Sequence, residues 1–253
     1  MRFLAVLAIG LLMASGASAQ SRLDEIVARG TLRVGMTGDY RPFSLRDKDT
    51  GSYTGLDVDM AGDLSAALGV RLEIVPTTWA TLLTDLGERF DVGMGGISIT
   101  LARQRVALFS APVMRAGKAA IARCADRERF ASLAAIDQAG VKVLANPGGT
   151  NERFDRATLH AAEIVMVSDN TAIFAALAAG QGDVMITDAV ETKLQQKLHP
   201  GLCAIHPDQP FDFGELGYLL PRDVVFKQFV DQWLHIAIAS GTWARLEARY
   251  LGP

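Results

Sequence analysis

The regular alternation of short apolar runs with helical stretches is what most limits the folds open to this chain. Thr31–Met36, Arg71–Val75 and Phe90–Met94, then Val141–Ala145, Ile164–Val167 and Val184–Thr187, are runs of four to six residues dominated by aliphatic side chains. Runs of that kind, buried on both faces, are the mark of parallel strands covered by helices. Helical stretches lie between them. One ends at Leu68 and is stopped by Gly69, one spans Ala80–Leu86, a short one spans Phe130–Ile136, one spans Asn170–Ala179, and one follows Asp188 and continues to about Leu198. The helices Val225–Ser240 and Thr242–Tyr250 come last, after an extended segment over Phe211–Leu220 that Pro221 ends. The alternation occurs twice and no repeat of solenoid length is present. The expectation is an α/β protein with two units, parallel-rich sheets and a ligand cleft where the strand-end loops of both units converge.

Residues 2–19 do not fit that pattern. Arg2 gives a positive start, Phe3–Met13 an apolar stretch too short to span a bilayer, and Ala17-Ser18-Ala19 a small-x-small cleavage site. Residues 1–19 therefore read as a signal peptide, with the mature chain starting at Gln20 and exported to a bacterial periplasm. No cysteine follows the apolar stretch to take a lipid, and no later segment reads as membrane-spanning. The net charge of −3 and the lack of a basic stripe with interleaved aromatics argue against nucleic acid as a partner. Cys124 and Cys203 are the two cysteines. In an oxidising compartment such a pair reads as one disulfide, two buried free thiols being the alternative. The bond would close a 79-residue separation, worth ~3–5 kcal/mol by loop entropy before native strain is subtracted.

The chemistry concentrates in Asp183–Glu191. A buried strand over Val184–Thr187 delivers Asp188 to its end, and Glu191 follows one helical turn later, so both carboxylates can face one space. An acid at an apolar strand end is a candidate for a raised pKa and proton donation. The plainer alternative is that Asp188 caps the helix and Glu191 is a first-turn charge favoured by the helix dipole. Other strand-end loops supply the surroundings. Tyr40 and Phe43 lie in the loop after the first strand, Trp79 lies where Thr77-Thr78-Trp79 caps a helix, and Gly95-Gly96 would let a ligand approach the backbone. Asn146-Pro147-Gly148-Gly149-Thr150-Asn151-Glu152 opens a helix with free N–H groups, an anion site without the spacing of a dinucleotide or P-loop motif. Arg103 and Lys118 are candidate carboxylate partners, a surface salt bridge being the alternative for Arg103. His160, His199, His206 and His235 form no ligand spacing, so no metal is expected, and no Gly-x-Ser-x-Gly elbow is present.

The order of Leu32-Arg33-Val34-Gly35, Pro42-Phe43, Gly55-Leu56-Asp57-Val58-Asp59, Gly96-Ile97-Ser98-Ile99-Thr100 with Arg103, and Phe109-Ser110-Ala111-Pro112 resembles the periplasmic amino-acid-binding proteins. The resemblance implies a two-lobed fold in which the chain crosses twice, dividing it into residues 20–114 with 213–253, and 115–212. In such binders Arg103 and Ser98 would hold the ligand α-carboxylate and Asp188 its amino group. Two features depart from the binders: the Asn146–Glu152 turn and the acid Glu191. With Thr37-Gly38-Asp39-Tyr40, Arg115-Ala116-Gly117-Lys118, the run from Leu198 to Phe213 and Asp231-Gln232-Trp233-Leu234-His235, they look like the cyclohexadienyl dehydratase family, which uses the same fold. That resemblance implies a cofactor-free lyase converting prephenate to phenylpyruvate and L-arogenate to L-phenylalanine. Glu191 would be the general acid, with Asn146 and Asn151 positioning substrate and acid. Ser98, Arg103, the Thr150–Asn151 backbone and Lys118 would bind carboxylates, Tyr40 and Trp79 would wall the ring, and Asp188 would meet an amino group or orient its neighbours. It also allows a homo-oligomer such as a trimer, although no stretch shows an interface. A non-catalytic amino-acid binder serving a transporter is the other reading.

Overall fold

A computed structural model of the chain describes residues 20–252, so the proposed leader over residues 1–19 lies outside the described residues. The strands form two five-stranded sheets, one per lobe. In the first, the order is Arg71–Pro76, Thr31–Met36, Val92–Gly93, Leu219–Leu220, Leu108–Phe109. In the second it is Glu163–Met166, Lys142–Ala145, Val184–Asp188, Lys118–Arg123, Leu202–Ile205. The first three strands of each sheet are parallel and the fourth pairs antiparallel to the third. In the second sheet the reason is connectivity. Val184–Asp188 runs towards the cleft, whereas Lys118–Arg123 arrives from the other lobe and runs away from it. The crossing segments Met114–Ala116 and Gly214–Leu216 pair antiparallel as a two-stranded ribbon between the lobes.

The second sheet sorts its side chains by strand alternation. Ala120, Ala122, Val143, Val184 and Ile186 pack on one face with Phe130 and Leu159. Ile121, Leu144 and Met185 pack on the other with Ile173, Phe174 and Leu177. In the first lobe Val34 and Met36 meet Leu56, Met60 and Leu64 of the helix Leu56–Ala67, and Phe226, Val230 and Trp233 of the helix Val224–Ala239.

Several elements are shorter than the sequence pattern implies. The expected helix Ala80–Leu86 is a single turn, Leu82–Asp85, and Thr77 and Thr78 do not cap it. The Thr77 hydroxyl goes to Asp85, and Thr78 Oγ1 accepts the Thr81 N–H at 3.2 Å, which caps the turn before the helix. The expected helix Phe130–Ile136 is divided into a 3-10 stretch, Cys124–Phe130, and a turn, Leu133–Ile136, because Ser132 caps the latter through Ala135 N–H. Asn170–Ala172 is 3-10 before the helix Ile173–Ala178 begins. Phe211–Leu220 is two short strands, one in the ribbon and one in the first sheet. Cys124, just past the strand Lys118–Arg123, and Cys203, in the neighbouring strand Leu202–Ile205, are joined by a disulfide with their Cα atoms 4.8 Å apart.

Candidate active site

The strand Val184–Asp188 is buried throughout and ends where the helix Ala189–Leu198 begins. Asp188 stands at the N-cap position, yet its side chain makes no capping bond. The Ala189 N–H is already taken by the Gly117 carbonyl at 2.8 Å, an arrangement set by the antiparallel neighbour. In that register Asp188 lies opposite Lys118, so their side chains share one face. Lys118 Nζ donates to Asp188 Oδ1 at 2.7 Å, and Tyr40 Oη of the first lobe donates to Asp188 Oδ2 at 2.6 Å. Lys118 Nζ also donates to Asn151 Oδ1 at 2.6 Å and Thr150 Oγ1 at 3.1 Å, which uses all three of its N–H groups. Lys118 and Asp188 are each 5% exposed, so this is a buried, hydrogen-bonded ion pair. The capping alternative for Asp188 is thereby replaced by a side-chain network.

Glu191 lies one turn into the helix and is 2% exposed. Thr187 Oγ1 donates to Glu191 Oε2 at 2.6 Å, and Oε1 has no hydrogen-bond partner among the described residues. Burial pushes its carboxyl up to about 8. The charges of Asp188 and Asp39 add to that rise, while the Thr187 hydrogen bond and Lys118 oppose it. Glu191 is thus a neutral acid at neutral pH rather than a dipole-stabilised surface charge. Asn151 Nδ2 donates to Thr187 Oγ1 at 3.0 Å, so Lys118, Asn151, Thr187 and Glu191 form one chain of hydrogen bonds.

The first lobe supplies the facing wall. Asp57, buried, accepts the Gly95 and Gly96 N–H groups at 2.9 and 2.8 Å and holds that loop against the cleft. Gly96 has a φ of +71°, and a Cβ there would meet the Tyr40 and Phe43 rings within 2.7 Å. Trp79 meets Tyr40 edge-on at 6.0 Å and donates its Nε1–H to Asp39 at 3.0 Å. Ser98 Oγ lies 3.2 Å from Thr150 Oγ1 across the cleft. Between these groups is a cavity of about 20 Å³, lined by Tyr40, Trp79, Ser98, Asn146, Thr150, Asn151, Asp188 and Glu191 among others. Asn146 is buried and its Oδ1 has no partner.

Arg103 and Lys118 do not line this cavity. Arg103 follows the Ser98 loop in a single helical turn capped by Thr100, which folds it back beneath the loop. Its guanidinium, 1% exposed, donates to the Ser98 carbonyl at 2.8 Å, and its Nε has no partner. Burial, and then the charge of Arg153, lower its pKa to about 10. The surface-ion-pair alternative for Arg103 does not hold. Sequence reasoning missed Thr187, Asp39 and Asn170. Thr187 belongs to the strand and reaches Glu191 across the strand–helix junction, so no single periodicity announces the pair. Asn170 donates Nδ2–H to the Asp39 carbonyl across the lobes at 3.0 Å, and no local pattern announces it. Among the described residues there is no cluster of histidine, cysteine and acids able to hold a metal, and no helix long and apolar enough to cross a membrane.

Two lobes, each on a parallel-rich sheet, with polar side chains converging at the strand ends, define a solute-binding architecture. The chain belongs to the bacterial extracellular solute-binding proteins, family 3, whose profile it matches over residues 32–253. It is 54% identical over 239 residues to the cyclohexadienyl dehydratase of Pseudomonas aeruginosa, covering 94% of this chain and 89% of that one. It is 30% identical over 189 residues to the L-cystine-binding protein TcyJ of Escherichia coli, covering 72% and 69%. Among solved structures it resembles the ancestral amino-acid-binding protein AncCDT-1, a precursor of cyclohexadienyl dehydratase, at a TM-score of 0.84 and 34% identity, covering 91% of this chain and all of the other. A variant of the ancestral cyclohexadienyl dehydratase AncCDT-3 matches at 49% identity and a TM-score of 0.59, covering 93% and 98%.

Proposed function

We propose that this chain is a cyclohexadienyl dehydratase, a carbon–oxygen lyase that converts prephenate to phenylpyruvate and L-arogenate to L-phenylalanine by general acid catalysis. The observation that carries the reading is Glu191: a buried carboxyl, neutral at neutral pH, facing the cleft in a chain 54% identical to an enzyme of that name. The ring hydroxyl leaves as water only if a proton reaches its oxygen, because hydroxide is a poor leaving group. The ring carboxylate leaves as CO2 with no base, because aromatisation drives it. One positioned neutral acid is therefore enough, and such an acid is worth about 10²–10⁴-fold.

Glu191 donates to the C4 oxygen. Thr187 fixes the rotamer of the acid, and Asn151 fixes Thr187. Asn146, with a buried unpaired oxygen, is a contact for the substrate hydroxyl or for the acid itself. Tyr40 and Trp79 wall the ring. Ser98 and the Thr150–Asn151 helix start receive the carboxylates, with Arg103 and Lys118 giving positive potential from behind them. Asp188 already has two donors, which disfavours the amino-acid-binder role in which it would take a ligand ammonium.

A cavity of about 20 Å³ is far smaller than a ten-carbon diacid, so access requires the lobes, 20–114 with 213–253 and 115–212, to open. A poorer superposition on AncCDT-3 than on AncCDT-1, despite the closer sequence, is what a rotation between lobes would produce. The protein works in the periplasm after loss of its leader, in keeping with its family of extracellular solute-binding proteins. Phenylpyruvate formation from prephenate by the purified mature chain, near neutral pH against a no-enzyme blank, tests the reading. No turnover, with tight binding of an amino acid by thermal shift, would replace it with the binder.

A further inference from the structure

The dehydration proposed above consumes one proton per turnover: prephenate dianion and H⁺ give phenylpyruvate anion, CO2 and water. Glu191 is left as a carboxylate and has to be reloaded from solvent. Glu191 borders two spaces. One is the substrate cavity. The other is a groove of about 460 Å³ between the first lobe's Asp39–Arg46 hairpin and the second lobe's Ala189–Leu198 helix. Asp39, Arg41, Gln195, Leu198 and His199 line that groove with Glu191. Its remaining charged groups, Arg46, Asp47 and Lys48, also come from the first lobe.

Asp39 is the member suited to a relay. Its carboxylate is anchored by Trp79 Nε1 and its backbone by Asn170, so it cannot swing into the cavity or out to solvent. Burial raises its pKa from the ordinary aspartate value, the hydrogen bonds from Thr37 and Trp79 oppose that rise and Asp169 adds to it, and its charge reaches Glu191. Glu191 Oε1 has no hydrogen-bond partner among the described residues, and the residue lines the groove as well as the cavity.

We propose that the outer groove is the route by which Glu191 regains its proton, with Asp39 passing it on from groove water. Hydronium in the groove protonates the Asp39 carboxylate. Asp39 gives that proton through water to the Glu191 carboxylate, and both groups return to their starting forms. Asp39 acts through Glu191 and does not touch substrate. The inference rests on the dehydratase reading, and the experiment separates the two.

The test is rapid-quench turnover of prephenate near neutral pH with wild type, Asp39→Asn and Leu198→Trp. Asn keeps an oxygen for Trp79 but cannot carry the proton. Trp at the exposed Leu198 fills the groove without entering the core. The expected result is a first turnover at the wild-type rate in Leu198→Trp and, in both variants, a first turnover faster than the later ones, since Glu191 starts loaded. Later turnovers should be roughly tenfold slower, recovering as imidazole buffer is raised for Asp39→Asn. Later turnovers at the wild-type rate in both variants, or a first turnover slowed as much as the later ones with no buffer effect, would overturn the route. Absence of wild-type turnover would instead remove the dehydratase reading, and the route with it.

Discussion

Replacing Glu191 by Gln should cut turnover by about 10²–10⁴-fold and, at alkaline pH, make the protein more stable than wild type. The substitution keeps the shape of the side chain and the acceptor for Thr187 Oγ1, and it removes the proton that leaves and the charge that burial opposes. In the folded chain the Glu191 carboxyl titrates at about 8, against 4.5 when exposed. The folded state therefore holds a proton that the unfolded state has already lost between those values, and stability falls as pH rises through that window. At ~1.36 kcal/mol per pH unit the full loss is of order 5 kcal/mol, an upper value because solvent relaxes around a buried carboxylate. Asp57 and Asp155, whose pKa values burial raises to about 6 and about 7, titrate in both proteins and cancel in the comparison. The assay is urea unfolding of wild type and Glu191→Gln at a series of pH values, paired with prephenate turnover. The Gln variant should gain several kcal/mol on wild type between about pH 5 and pH 9 while losing about 10²–10⁴-fold in rate. Wild-type turnover should fall tenfold per pH unit above about pH 8. A stability difference independent of pH would refute the neutral acid, even if the variant were inactive.

Lys118→Met should cost ~3–5 kcal/mol, read by urea unfolding, because it leaves the Asp188 carboxylate buried without its cation. Changing both Cys124 and Cys203 to Ser should lower stability by ~2–5 kcal/mol, with turnover at permissive temperature retained; an unchanged melting temperature would show that the cross-link constrains little. Gly148→Ala should raise KM and increase the radius of gyration in solution scattering. The added Cβ would come within 2.9 Å of the Ala80 backbone on the opposite lobe, and the residue's φ of +82° already disfavours any side chain. Tyr40→Phe should leave the ring wall but remove the donor to Asp188, at a cost of ~1.5–3 kcal/mol in thermal unfolding.

The two sheets and their strands were legible because burial on both faces leaves an uninterrupted aliphatic run, as in Val184–Thr187, and glycines such as Gly69 mark where helices stop. The proximity of Asp188 and Glu191 was legible from a strand end followed by one helical turn. What Asp188 does was not. Its partner Lys118 is 70 residues earlier, and only the antiparallel register sets them opposite each other. Arg103 was legible as a cation near Ser98, but the direction of a long flexible side chain depends on the fold of its loop, which here turns the guanidinium beneath the carbonyl. The split of Phe130–Ile136 escaped because Leu133–Ile136 is apolar enough for a continuous helix, while the Ser132 cap restarts it.

Direct polar contacts join the lobes across the cleft. Tyr40 reaches Asp188, Asn170 reaches the Asp39 carbonyl, Ser98 meets Thr150, and Lys48 meets Asp169. A carrier that delivers cargo to a membrane partner has to report whether it is loaded, and closure driven by the cargo is its message. Direct contacts between the two halves favour the closed form by themselves, which lessens the share of closure that cargo has to drive and so weakens that message. For an enzyme the same contacts are an advantage: they help to hold the walls and the acid in place around an enclosed substrate, so less of the binding energy has to go into assembling them.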